Sequence, residues 1–472
     1  MKKLILSIVA VLYIGITNCQ PKEGYEINLV VRGLSDVNVL LAYHLGNRQY
    51  IKDSTHLDVN GAGIFGGEAP LDQGVYIIIL PDNRYFEFLI TDDQYFKIET
   101  NSVDITGGLK FTGSAENSDF AAFQAEIASM YERADLLRQR VNMNRQNADS
   151  MKVLEVLSVE HETASKKLMN SAIEKHKGSF MSSLIMAMQQ LEVPEFSIPQ
   201  VVSNIDSARW VMTHNYNKDH FFDNFDLSDE RLLRSPVFHP KVEHYFKNVV
   251  LQFPDSLIRA IDKVLSLAES NKKTYQYISV FLFNHFREST IMGHDAVMVK
   301  IADAVYLSGK ADWASSEFIE SLRKDIDRLR PSLIGNTGIN LTMETLNHGI
   351  VSLHSLKKEF IILYFWEPDC GHCNEMTPIL LDYYVRNRDK GVEVFSVCTK
   401  PDRAAWEKYI KETKLTWINA WDPDRSTHYD FFYNITATPT VYILDKDKKI
   451  IAKKLPVESI EGFIESYRKQ GR

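Results

Sequence analysis

Between Tyr25 and Phe111 apolar and polar residues alternate over short stretches. Ile27, Leu29 and Val31 fall on every second position, and Val75 to Leu80 is a brief run of mostly branched apolar side chains. Both are strand patterns. Turn residues interrupt them at short intervals, at Asn60-Gly61, Gly66-Gly67, Pro81-Asp82-Asn83 and Gly107-Gly108. A small antiparallel sandwich or barrel is expected. From Ser114 to Leu329 the period lengthens to three and four residues. Ser118 is placed to cap a helix carrying Phe123, Ile127, Ala134, Leu137 and Val141 on one face. Gly178 falls where a second long helix would end, and Ser256–Ala268 and Ala296–Leu307 are further amphipathic stretches.

After Arg330-Pro331 the pattern changes again. Ile350-Val351-Ser352-Leu353 reads as a short strand, and Phe360 to Phe365 is a continuous apolar run suited to a strand covered on both faces. A helical pattern, the strand Val392 to Val397, a helix over 403–413 and the strand Thr440 to Leu444 follow. Strands alternating with helices imply an α/β fold with a mixed sheet. The chain is therefore multidomain: an N-terminal all-β module over 19–114, a central α-helical region over 115–330 and a C-terminal α/β domain over 331–472, behind a leader at 1–18.

The chain has 472 residues, 44% hydrophobic and 25% charged, which excludes a disordered or fibrous protein. Its formal charge is −8, and loss of Lys2 and Lys3 with the leader would make it −10. With no basic patch interleaved with aromatics, nucleic acid is not an expected partner. The start reads as an export signal: Lys2 and Lys3 precede an apolar run from Leu4 to Ile16, too short to span a bilayer. It ends at Ile16-Thr17-Asn18-Cys19, which resembles a bacterial lipoprotein signal with Cys19 as the site of lipid attachment. Asn18 departs from the small residue usual before that cysteine, and an ordinary secretory leader is the alternative. An exported, periplasm-facing protein of the cell envelope, tethered to membrane by lipid, is the expectation.

Four cysteines are too few for a disulfide scaffold. The histidines of the central region form no His-x-x-Glu-His or comparable ligand set, so no metal and no cofactor is implied. The chemistry gathers in Trp366-Glu367-Pro368-Asp369-Cys370-Gly371-His372-Cys373. Two cysteines separated by two residues at a helix start can close a disulfide, and the helix N-terminus favours a thiolate. Cys370 is the candidate nucleophile and Cys373 the resolving thiol. Gly371, His372 and Trp366 support them, His372 by charge or hydrogen bonding to the thiolate.

The apolar strand ending in Phe365-Trp366, the Cys-Gly-His-Cys motif, Pro378, and Ala437-Thr438-Pro439-Thr440 some 65 residues downstream resemble a thioredoxin-fold thiol–disulfide oxidoreductase. With the lead-in at 335–353, the resemblance is to the exported TlpA/ResA-like branch, here at the end of a multidomain lipoprotein. It covers 331–472. It implies protein disulfide or dithiol substrates, a redox partner that resets the cysteines, and a cis-proline loop in which Thr438 and Pro439 dock the substrate backbone. Two departures stand out. The buried Asp six residues before the first cysteine of thioredoxin is Tyr364 here, leaving Glu367 or Glu375 as possible substitutes. The dipeptide is that of protein disulfide isomerase, which points nearer about −180 mV than about −270 mV and leaves reductase, oxidase and isomerase directions open.

Other readings of the same residues are a structural disulfide, or a lipid-tethered binding or scaffold protein with a low-activity thioredoxin-like end. A peroxidase would want Thr or Ser three residues before Cys370, where Glu367 stands. Cys398 reads as a small buried residue with a possible alternative pairing, and Asp422-Pro423-Asp424 as a turn and helix cap.

Overall fold

A computed structural model describes residues 24–198 and 204–471; the leader and Cys19 lie outside the described residues. The chain packs as two compact units, one ending at Glu243 and one beginning at His244.

The first unit opens with strands β1 (Tyr25–Arg32), β2 (Val37–Leu45), β3 (Arg48–Leu57), β4 (Ala62–Gly67), β5 (Gly74–Ile79), β6 (Tyr85–Ile90), β7 (Tyr95–Asn101) and β8 (Lys110–Thr112). They form two four-stranded sheets, ordered β4-β1-β7-β8 and β3-β2-β5-β6. The alternation in β1 decides its faces, with Ile27, Leu29 and Val31 inside and Glu26 and Arg32 outside or partly so. The two inner faces share one core, in which Leu41, Ile78, Phe88 and Ile98 are fully buried. One pairing departs from the antiparallel expectation: β1 and β7 run parallel. Alternation specifies which side of a strand is buried and says nothing about its neighbour's direction.

The helix Ala115–Met143 is capped by Ser114, whose Oγ accepts the Asn117 N–H at 3.4 Å, and not by Ser118. Ser118 lies one turn inside and donates to the Ser114 carbonyl at 3.0 Å. The boundary is set by Asn117, a buried side chain that accepts from Leu89 N–H at 2.7 Å and donates to Leu89 O at 2.8 Å. It thereby satisfies the open edge of β6, which would otherwise leave backbone groups unpaired. A second helix, Ala148–Lys175, packs on the first, and Gly178 follows in the left-handed region at φ 84°.

In the second unit the helices Pro254–Ala268, Lys272–Arg287, His294–Ile301 and Ser316–Leu329 close over Leu257, Ile261, Ile278, Leu282 and Val297. They lead into β9 (Thr342–Thr345), β10 (Gly349–Ser352), β11 (Phe360–Trp366), β12 (Val392–Cys398), β13 (Ile418–Trp421), β14 (Thr440–Asp445) and β15 (Ile450–Lys453). The seven form one mixed sheet, ordered β10-β9-β13-β12-β11-β14-β15, with β11, β12 and β13 parallel. Every residue of β11 is buried. Phe360, Ile362, Tyr364 and Trp366 face the core beneath the helices Gly371–Asn387, Arg403–Thr413 and Ile460–Lys469, while Ile361, Leu363 and Phe365 face the opposite core.

At the other end of the sheet, the edge strand β15 is covered. The Lys453 N–H donates to Met292 Sδ at 3.5 Å. The buried Lys453 ammonium donates to the Asp295 carboxylate and to Ser332 O, the latter at 2.9 Å.

Asn117→Ala should destabilise the first unit by about 2 kcal/mol or more, because Leu89 would keep two buried polar groups without partners. Urea unfolding checks this; a loss below about 0.5 kcal/mol would show that water takes over the Asn117 contacts.

Candidate active site

The site is built where the fully buried strand β11 ends. The chain must leave the sheet after Trp366, and it does so through Glu367-Pro368-Asp369 into the helix Gly371–Asn387. Cys370 is the N-cap of that helix, with φ −82° and ψ 114°, and its Sγ accepts the Cys373 N–H at 3.2 Å. The sulfur thus takes the position of a capping oxygen, where unpaired N–H groups and the positive end of the helix favour negative charge. The turn before it is held from β12's side. Thr399 Oγ1 donates to Glu367 at 2.7 Å, and Lys400 Nζ lies 3.5 Å from Glu367 and 3.7 Å from Asp369. Pro378 lies within the helix, three residues after Glu375 and clear of its first turn.

The two thiols stand in different surroundings. Cys370 is half-buried, and its Sγ–H donates to the Thr438 carbonyl at 3.5 Å. Thr438-Pro439 is a cis peptide bond, so the loop 68 residues away in sequence lies against the first cysteine. Cys373 is 0% exposed. Burial, reinforced by its hydrogen bond with Cys370, pushes its thiol up from 9.0 to about 12. Both are free thiols, as is Cys398. A groove of about 340 Å³ opens beside the pair, walled by His372 and Met376 on one side, Ala437 and Pro439 on another, and Leu455 and Val457 on a third.

Tyr364 occupies the place of the thioredoxin carboxylate, and its Oη shares a 2.9 Å hydrogen bond with Thr377 Oγ1, both side chains being buried. The two suggested carboxylates are engaged elsewhere. Glu375 has a side chain 74% exposed and faces His372 Nδ1 at 3.6 Å, while Glu367 is engaged by Thr399 and Lys400. Trp366 is fully buried with its ring 4.7 Å from that of Tyr409, so its support is packing beneath the site. Gly371 is exposed in the first turn, with nothing within 4 Å of a Cβ placed on it. Cys398 sits in register with Trp366 on β12, pushed by burial up to about 12, and donates to Lys400 O at 3.8 Å. Asp422 accepts from the backbone and hydroxyl of both Ser426 and Thr427 at 2.7–3.0 Å, the geometry of a turn cap. Among the described residues no group of three or more His, Cys, Asp and Glu side chains gathers as a metal site. The Tyr364–Thr377 pair and the third wall of the groove had no sequence signal, because their partners come from separate elements.

A sheet with a two-cysteine helix start at the end of a fully buried interior strand and a cis-proline beside it defines a thioredoxin-fold domain of the thiol–disulfide oxidoreductase class. Several known proteins are similar to parts of this chain. Residues 334–453 match the AhpC/TSA family. Residues 25–120 and 187–328 match two domains of unknown function, DUF4369 and DUF5106. The thiol-disulfide oxidoreductase ResA of Bacillus cereus is 26% identical over 135 residues, 28% of this chain and 77% of its own length. A domain of a possible thiol-disulfide isomerase from Cytophaga hutchinsonii is 35% identical, covering 29% of this chain and 95% of that domain, with TM-score 0.28. A thioredoxin-like protein from Bacteroides caccae covers 59% of this chain and 99% of its own at 20% identity, with TM-score 0.42. The C-terminal domain thus carries the AhpC/TSA match and is similar to ResA-like thiol–disulfide oxidoreductases.

Brief alkylation of the reduced native protein near neutral pH should modify Cys370 alone among Cys370, Cys373 and Cys398, the other two reacting only after unfolding; peptide mapping by mass spectrometry checks this. The same burial makes stability depend on pH. Unfolded thiols ionise near 9.0, whereas Cys373 and Cys398 stay protonated up to about 12, so their contribution is complete below the first value and lost on rising through the second. The melting temperature should fall across that window, and less so in a Cys398→Ala variant.

Proposed function

We propose that this protein is a thiol–disulfide oxidoreductase of the cell envelope that exchanges disulfides with protein substrates through Cys370 and Cys373. The observation that carries the reading is the inequality of the pair: one half-exposed thiol capping a helix beside a cis-proline, and one fully buried thiol a turn behind it. In the reducing direction the Cys370 thiolate attacks a substrate disulfide, forming a mixed disulfide and releasing one substrate thiolate. The Cys373 thiolate then attacks Cys370 Sγ, closing the Cys370–Cys373 disulfide and releasing the second substrate sulfur. Two electrons pass from the pair to the substrate, and the reverse sequence oxidises a substrate dithiol.

Thr438 and Pro439 serve as the docking edge. Thr438 O, already an acceptor for Cys370, and the groove beside Pro439 offer backbone and apolar surface to an extended chain. His372, 62% exposed at the rim, is placed to stabilise the thiolate as it forms. A redox partner resets the pair after each turnover. Residues 331–472 act as the catalytic domain, and 19–114 and 115–330 as the modules that carry it. The leader and Cys19 tether the chain by lipid to a membrane on its periplasmic side; among the described residues no helix is long and apolar enough to cross one. The half-exposure of Cys370 favours this reading over a scaffold with an occluded pair.

Equilibrated with glutathione buffers, the protein should show a reversible two-electron transition, near about −180 mV for an oxidase or isomerase and near about −270 mV for a reductase, that disappears in Cys370→Ser. Cys373→Ser should accumulate mixed disulfides with substrate. A pair that stays oxidised below about −300 mV would make the disulfide structural and overturn the assignment. Cys19→Ala should move the protein from the membrane fraction to the soluble fraction; unchanged fractionation would remove the lipid anchor from the reading.

A further inference from the structure

The groove beside Pro439 shares a wall with a second, larger cavity. Lys454 lines both, at the end of the edge strand β15. That wall is pinned on each side. The Lys454 N–H donates to Val441 O at 2.7 Å with the residue in the left-handed region at φ 52°, and its neighbour Lys453 is fixed to Asp295 and Ser332. Beyond the wall the cavity measures about 730 Å³ and lies between β15 and the helices Lys272–Arg287, His294–Ile301 and Ser316–Leu329. Its floor is apolar, with Phe286, Met298 and Leu322 buried. At its mouth Ile291, Met292 and Phe318 remain 50%, 38% and 38% exposed. Three large apolar side chains left in water around one opening mark a contact surface. Besides the paired Asp295 and Lys453, the lining carries Asp325 against Arg287, Arg328 and Lys454, so both signs of charge are present with basic groups in excess.

We infer that this cavity is a second contact site for the substrate polypeptide of the exchange reaction, taking a large apolar side chain that lies near the reacting cysteine in sequence. The inference rests on the oxidoreductase reading above. Its ground is continuity: a chain laid along the Thr438-Pro439 edge meets Lys454 as the far wall of its groove, and the next space beyond that wall is the cavity. A volume of this size holds one or two large side chains. An extended, flexible segment can present a cysteine at Cys370 and an aromatic residue beyond Lys454 together. The substrates are thus unfolded or loosely held chains with apolar residues flanking their cysteines.

The test uses the full mature protein and synthetic peptides carrying one cysteine as a mixed disulfide with glutathione. The peptides differ only in having Phe or Ser at each position two to six residues from the cysteine. The wild-type protein should reduce one or more of the Phe peptides with KM about tenfold lower than the Ser peptide, the discrimination an apolar pocket supplies. Phe318→Ser and Ile291→Ser, both at exposed positions, should each erase that difference while leaving the rate on the Ser peptide and the glutathione midpoint unchanged. Equal KM values for all peptides in the wild type would overturn the cavity's role alone. So would variants that slow Phe and Ser peptides equally. A wild-type protein that neither reduces any peptide disulfide nor forms a mixed disulfide with one would overturn the oxidoreductase reading and this inference with it.

Discussion

The burial of β11 on both faces is the constraint from which the site follows. Seven consecutive residues, Phe360 to Trp366, have no solvent face, so the strand can only occupy the middle of a sheet between two covering layers. The chain then has one place to reach the surface, the end of the strand, and a helix starting there points its N-terminus outward. Cys370 caps that helix at the rim. Cys373, one turn in, falls over the face carrying Tyr364 and Trp366, in the same core cluster. One thiol is accessible and the other is not because of where the strand ends, before any feature of the motif itself is considered.

The same burial decides the electrostatics. In a core that excludes water, the charged form of Cys373 is the disfavoured one, and its thiol is held protonated far above the ordinary range. A carboxylate at position 364 would have faced the same penalty, and the chain instead places Tyr364 there, satisfied by Thr377 and pushed upward by its own burial. With Glu375 at the surface and the Glu367 carboxylate engaged by Thr399 and Lys400, what works against the burial of Cys373 is first the backbone of Glu367 and only then Thr438. Thr438 also accepts from Cys370 through its carbonyl, so its backbone lies against the accessible sulfur.

Much of this was legible in the sequence, and the limits have physical causes. The run Phe360–Phe365, the cysteine spacing and the Thr438-Pro439 pair are local signals, because a two-sided strand, a helix start and a proline leave marks in adjacent residues. The helix boundary at Ser114 was not legible, since Ser114 and Ser118 are both capping residues ahead of one apolar stripe. The choice is made by Asn117 reaching Leu89, 28 residues away. The parallel pairing of β1 with β7 was equally hidden, because the alternation is the same whichever way the neighbour runs. Tyr364 could be read as the absence of a carboxylate, but its hydrogen-bond partner on the facing helix could not.

The helices of the second unit and the thioredoxin-like sheet meet through the contact least visible in sequence, Asp295 with Lys453, 158 residues apart. An ion pair with the Lys453 side chain 5% exposed gains little net stability over a well-packed apolar contact, since both charges must be taken out of water. What it supplies is register. Apolar surfaces can slide by a residue at small cost, whereas a buried ammonium that also donates to Ser332 O has one position in which it is satisfied. That position fixes Lys453, hence the end of β15, hence Lys454 and the wall it lends to the groove beside Pro439. The helical segment in this sense shapes the surroundings of the cysteine pair: it covers the open edge of the sheet and sets where the groove beside Pro439 ends.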